Sequence, residues 1–166
     1  MTRKLIFGLL VVAVSYASHP AFAAREVHQF EVFVTIPTQA FYVIPSDPTW
    51  IHREQQLPWN LTASTLGGLR KYFDVKNAAG SIEARLEGRP YLSNGTPADD
   101  IGLRVLFNGT LLSELESSEV VSPTDAAPGK RVLLEIVPMP PAAGVYKPGN
   151  YFGNVNMIFN AVMPGT

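Results

Sequence analysis

"NYFGNVNMIFNAVM", Asn150 to Met163, alternates almost without fault. Tyr151, Gly153, Val155, Met157, Phe159, Ala161 and Met163 fall on one side. Asn154, Asn156 and Asn160 fall on the other, interrupted by Ile158. A repeat of two is that of an extended strand with one buried face, so the run predicts a β-strand packed on a core. A second run of the same kind, "VHQFEVFVTIP", spans Val27 to Pro37 and sets Phe30, Val32, Val34 and Ile36 on one face. A proline ends it, and no tight-turn signal folds a partner back against it.

The runs between these two are also of the β kind. "SIEARL" sets Ile82, Ala84 and Leu86 against Ser81, Glu83 and Arg85, and "LRKYFDV" alternates less cleanly from Leu69 to Val75. "IGLRVLFNGTLLSEL" reads as a hairpin, because Asn108-Gly109 is the pair best able to take the positive φ angles of a tight turn. "RVLLEIV", Arg131 to Val137, is apolar enough for a central strand. The stretches "IPSDPTW", "STLGGL", "SNGTPADD", "SPTDAAPGK" and "PMPPAAGVYKPGN" have loop composition, rich in Pro and Gly. One segment, "LLSELESSEV", offers a weak helical face through Leu111, Leu112, Leu115 and Glu119. The expectation is an all-β, antiparallel two-sheet sandwich of about seven strands.

Met1 to Ala23 reads as a leader. Arg3 and Lys4 precede the apolar "LIFGLLVVAVSYA", and "AFA" at Ala21 to Ala23 offers the small residues of a cleavage site. The apolar stretch is short for a membrane span, so cleavage is favoured over an anchor. The expected division is a signal peptide over 1–23, an amino-terminal extension over 24–37 and one domain over 38–166. The 13 basic residues of the chain include the two in the leader, which leaves 11 against 14 acidic ones and a formal charge of −3. With no Lys/Arg run, a nucleic-acid partner is not expected. Cysteine is absent, so thiol catalysis, thiolate metal sites and disulfides are excluded.

Catalytic signals are missing too. His28 and His52 are isolated, and "HRE" at His52 to Glu54 lacks the cysteine pair that would complete a zinc site. No Gly-x-Ser-x-Gly elbow or phosphate-binding glycine loop occurs. Asp99 and Asp100 are the nearest carboxylate pair and read as a solvated loop. No enzyme, metal or cofactor is expected. Trp50, Trp59 and Tyr91 could offer flat faces to a sugar, although aromatics in a small β domain more often pack the core. Asn60, Asn94 and Asn108 each begin an Asn-x-Ser/Thr triplet, which reads as turn chemistry or, in a glycosylating host, as glycan acceptors.

The two terminal strands suggest one another as partners. Only "PGT" follows Met163, so no further strand is expected after the closing run. A sandwich lacking its final strand exposes unpaired backbone and core side chains, and a free apolar strand from a second copy would cover both. Four large side chains buried in this way contribute about 6–12 kcal/mol before ordering costs. On pattern alone, Val27 to Ile36 fits equally well as the first strand of its own closed sandwich, since alternation reports burial and not whose core buries it.

The chain resembles the major pilins of the alpha-fimbrial group of chaperone–usher pili, the colonisation factor antigen type. The likeness begins at "FEVFVTIP", in the place of that family's donor strand. It continues through "IGLRVLFNGTLLS" and is strongest in "KPGNYFGNVNMIFNAVMPGT", where Gly-Asn-Tyr-x-Gly enters the final strand. The lack of cysteine fits this group. The resemblance implies an immunoglobulin-like subunit that lacks its final strand and carries an amino-terminal donor extension. In it, Phe30, Val32, Val34 and Ile36 insert into a neighbouring copy, and Tyr151, Val155, Met157, Phe159 and Ala161 help line the receiving groove. It implies as partners identical subunits joined head to tail, a periplasmic chaperone, an outer-membrane usher, a tip adhesin and a host-surface receptor. The place would be a surface fimbria reached through the periplasm. The alternative reading is an exported sandwich that binds carbohydrate or another surface directly, as a minor or tip adhesin would.

Overall fold

The computed structural model describes residues 40–141 and 144–163. Its longest strands grow from the less cleanly alternating run "LRKYFDV" and the apolar run "RVLLEIV". β4 (Leu69–Asn77) buries Phe73, Val75 and Asn77 and turns Arg70 and Tyr72 outward. β5 (Ser81–Leu86) buries Ile82, Ala84 and Leu86. β7 (Ile101–Phe107) buries every second residue from Ile101 to Phe107, and β10 (Lys130–Pro138) buries Val132, Leu134 and Ile136. Shorter elements complete the set: β1 (Phe41–Pro45), β2 (Trp59–Asn60), β3 (Thr65–Leu66), β6 (Tyr91–Leu92), β8 (Thr110–Leu111), β9 (Ser118–Val121) and β11 (Met157–Val162).

Pairing among these strands is antiparallel throughout. The larger sheet runs β1-β4-β10-β7-β6, with β8 also on β7, and the smaller runs β11-β5-β9; β2 and β3 form a separate hairpin. The inward faces of the two sheets meet in one core, with Phe73, Phe107 and Leu134 from one sheet and Ile82, Leu86 and Val121 from the other. In the immunoglobulin arrangement one sheet is A-B-E-D and the other contains C, F and G. β1, β4, β10 and β7 take the A, B, E and D positions, and β5 and β11 take C and F. None of the described strands takes the G position beside β11.

Two turns show why this chain folds back where it does. Asn108 and Gly109 both carry positive φ, 52° and 83°, and join β7 to β8 as the Asn-Gly pair predicts. Between β4 and β5, the buried Asn77 donates through Nδ2 to the Ser81 carbonyl at 2.7 Å and accepts from the Ala79 amide at 3.1 Å. Its amide therefore replaces ladder bonds that the chain loses as it leaves one sheet for the other.

Elsewhere the structure departs from the sequence expectations. "LLSELESSEV" is not helical: Leu112 is buried while Leu115 is 85% exposed, and the segment is divided between β8, a loop and β9. "IPSDPTW" contributes its first two residues to β1, where Pro45 is tolerated at the end of an edge strand. "STLGGL" supplies β3. "SPTDAAPGK" holds a single helical turn, α1 (Pro123–Ala126), with proline in its first turn and the Ser122 hydroxyl accepting from the Asp125 amide.

The closing strand is shorter than its alternation suggests. It starts at Met157, and Tyr151 to Asn156 form an irregular entry with one isolated bridge, Phe152 to Ser93. The reason lies at Gly153, where a Cβ would overlap the Tyr91 carbonyl oxygen. The chain here lies against β6, in the larger sheet, before it reaches β5.

Candidate surface groove between two edge strands

The two sheets are stacked so that β8 approaches β9 at one flank. β1 and β11 are the opposite ends of their sheets, and they bound the other flank. Among the described residues no strand pairs with the outer edge of either. Each therefore presents a row of backbone donors and acceptors for a further strand.

Side-chain burial follows the same division. On β11, Met157, Phe159 and Ala161 lie opposite Leu86, Ala84 and Ile82 of β5. The β5 residues are 4%, 0% and 0% exposed. Met157 and Phe159 are only half-buried and Ala161 is exposed. On β1, Phe41 and Val43 lie opposite Asn77 and Val75 of β4, which are 2% and 0% exposed, yet both β1 side chains are half-buried. Inward-facing apolar residues thus lose their cover one strand before each sheet ends. An additional strand with apolar residues at every second position would bury them.

Val155 is half-buried and packs on the core just before β11. Tyr151 lies off the strand. Its hydroxyl donates to the Lys147 carbonyl at 3.0 Å and accepts from Asn94 Nδ2 at 3.2 Å, which anchors the entry segment to the loop after β6. Phe30, Val32, Val34 and Ile36 lie outside the described residues, as do His28 and the leader over 1–23. What sequence reasoning missed is β1: five residues ending in proline give too few alternations to register, and only pairing with β4 reveals the strand.

The other candidates are placed as follows. Trp50 stands edge-on to Phe73, ring centroids 5.8 Å apart, with the Lys71 ammonium 5.2 Å from its ring, so it packs on the core. Trp59 and Tyr91 are about half exposed, and Trp59 sits edge-on to Tyr146. Asp99 accepts from Asn94 Nδ2 at 3.3 Å, and His52 is exposed. No group of three or more His, Cys, Asp or Glu able to hold a metal occurs among the described residues. Asn94 and Asn108 commit Nδ2, the atom a glycan would take, to internal hydrogen bonds; that of Asn108 reaches the Val120 carbonyl at 2.6 Å.

The profile of the CS1 type fimbrial major subunits matches residues 26–160, most of the chain. The protein belongs to this family. It is a structural subunit of a surface fimbria, and its partners include identical subunits. The fold is similar to that of the CooA pilin subunit from enterotoxigenic Escherichia coli, with a TM-score of 0.61 at 18% identity, over 73% of this chain and 86% of that one. No curated protein sequence matches the chain.

Proposed function

We propose that this fimbrial subunit polymerises by donor-strand exchange. Phe30, Val32, Val34 and Ile36 of one copy enter the flank between β1 and β11 of the next, alongside Val155, Met157, Phe159 and Ala161. Four inserted apolar side chains complete the core, and backbone bonds to the β11 edge complete the smaller sheet. The joint is heterologous and does not close on itself, so repetition gives a fibre. No nucleotide or metal is needed, because burial supplies the driving force.

The observation that carries this reading is the half-burial of Phe41, Val43, Met157 and Phe159 beside neighbours that are fully buried. The same exposed flank would need protection before assembly. We therefore assign export through the signal peptide over 1–23, periplasmic capture by a chaperone, delivery to an outer-membrane usher and capping by a tip adhesin that meets the host surface. The segment 24–37 acts as the donor extension and 38–166 as the receiving domain. The chain acts as scaffold and catalyses nothing.

The test is Val32→Asp with Val34→Asp in the exported chain. Charged residues in an apolar groove cost more than the joint can return, so the variant should accumulate with its chaperone and form no fibres. Fibres of parental number and length would sink the assignment.

A further inference from the structure

The outward side of β11 holds one residue that the sandwich itself does not use. Met157, Phe159 and Ala161 face the interior of the flank, so Ile158 and Asn160 face outward, opposite Arg85 and Glu83 of β5. Asn156, one step earlier on the same side, keeps the chain beside β5, because its carbonyl accepts from the Glu87 amide at 3.0 Å. Ile158 is therefore an apolar residue between two asparagines on a polar face. It is half-buried, at an edge with which no strand pairs among the described residues. The amino-terminal run has the same irregularity. Its side away from Phe30, Val32, Val34 and Ile36 carries Glu31, Phe33 and Thr35, again one apolar residue between two polar ones.

The length of the groove brings these two residues together. Its inward positions along the closing strand are four: Val155, which packs on the core, then Met157, Phe159 and Ala161. Gly153 ends the row on one side, where the chain lies against the Tyr91 carbonyl. Met163 ends it on the other, past the strand and 74% exposed. The amino-terminal run also offers four apolar side chains, at the same spacing of two. Setting four against four fixes the register. Phe33 is the midpoint of one row and Ile158 of the other, so they lie side by side whether the inserted strand runs antiparallel or parallel to β11. In either direction Glu31 and Thr35 then fall beside Asn156 and Asn160, polar against polar.

We propose that Phe33 of one copy and Ile158 of the next form a cross-strand pair on the outer surface of the smaller sheet, and that this pair sets the register of the strand joint. A slip of one residue would turn all four inserted side chains to solvent, so the inward face already forbids it. A slip of two keeps the faces and loses a single inward position. It also moves Phe33 beside an asparagine, so the outer pair penalises the error that the groove alone resists least. Val162, the other apolar residue on this side of β11, lies past the matched positions. The inference rests on strand exchange as proposed above and adds to it which residues of the two copies stand opposite one another.

The chain contains no cysteine, so the register can be read chemically. A disulfide forms only between directly opposed positions, since diagonal neighbours are too far apart. The test is Phe33→Cys combined in turn with Ile158→Cys, Asn156→Cys and Asn160→Cys, in the full chain exported with its own assembly proteins. The fibres are oxidised and then dissolved. The Ile158 combination should give a ladder of linked copies, and the two asparagine combinations mostly single copies. A ladder strongest through Asn156 or Asn160 would overturn the register and leave strand exchange standing. Fibres that give no ladder in any combination would overturn strand exchange, and the register with it. A second measurement avoids thiols and decides the matter should the cysteine variants not assemble. Fibres of Phe33→Ala and of Ile158→Ala should each dissociate in urea on the order of two- to fivefold faster than the parent. The double variant should dissociate no faster than the quicker single one. Effects that multiply in the double variant would show that the two residues do not meet, and would overturn the proposal.

Discussion

Phe159, on the edge strand β11, reaches across the sandwich to Phe107 on β7, with ring centroids 4.8 Å apart and planes tilted by 58°. Phe107 is fully buried and itself meets Phe73 edge-on at 5.5 Å, so three rings connect the smaller sheet to two strands of the larger one. Phe159 is the member of this group that is half-buried. It serves the core of its own subunit and forms the floor of the open flank. Phe159→Ala should therefore lower subunit stability by about 2–4 kcal/mol, toward the lower end for a phenylalanine already partly solvated. Urea denaturation of the purified subunit measures it.

Ala161 separates folding from assembly more cleanly. It is exposed and faces the flank opposite the buried Ile82. Ala161→Trp should leave the thermal midpoint of the subunit close to the parent and block an incoming strand by occupying its space. The expected result is a folded subunit and few or short fibres, read by thermal melting and fibre counts.

Gly153 lies where a Cβ would overlap the Tyr91 carbonyl oxygen. Gly153→Ala should push the entry segment off β6, weaken the paired bonds between Ser93 and Phe152, and cost about 1–3 kcal/mol. Loss of amide protection at Ser93 and Phe152 in hydrogen exchange would locate the damage.

Asn108 combines two roles that substitution can divide. Asn108→Gly keeps the positive φ and loses the bond to Val120, at about 1 kcal/mol. Asn108→Ala loses both and should cost about 2–3 kcal/mol. Equal denaturation midpoints for the two variants would contradict this division.

The Asp74 carboxyl is held below its ordinary value of 3.8, chiefly because Arg131 donates to both of its oxygens, with partial burial opposing. A depressed carboxyl stabilises the folded chain above its unfolded value and loses that contribution as pH falls through its folded value. Asp74→Asn should lower the melting temperature at pH 7, by a margin that shrinks once the pH drops below about 3.8 and is smaller in high salt. Melts at pH 7 and pH 2 check both the sign and the window.

What the sequence determined by itself was local. The alternation in "SIEARL" and the apolar run "RVLLEIV" specify strands because successive side chains in an extended chain must point to opposite faces, and Asn108-Gly109 specifies a turn because few other residues tolerate its φ angles. The same alternation overstated the closing strand. Tyr151, Gly153 and Val155 keep the period of two, but a backbone contact with Tyr91 holds their segment against β6, and no local pattern encodes a contact made across so much sequence. Only the tertiary structure decided that β1 and β11 are the edges bounding one flank, and that Phe41, Val43, Met157 and Phe159 are half covered. Periodicity records which face of a strand is apolar, whereas the neighbour that covers this face is set by pairing between strands distant in the chain.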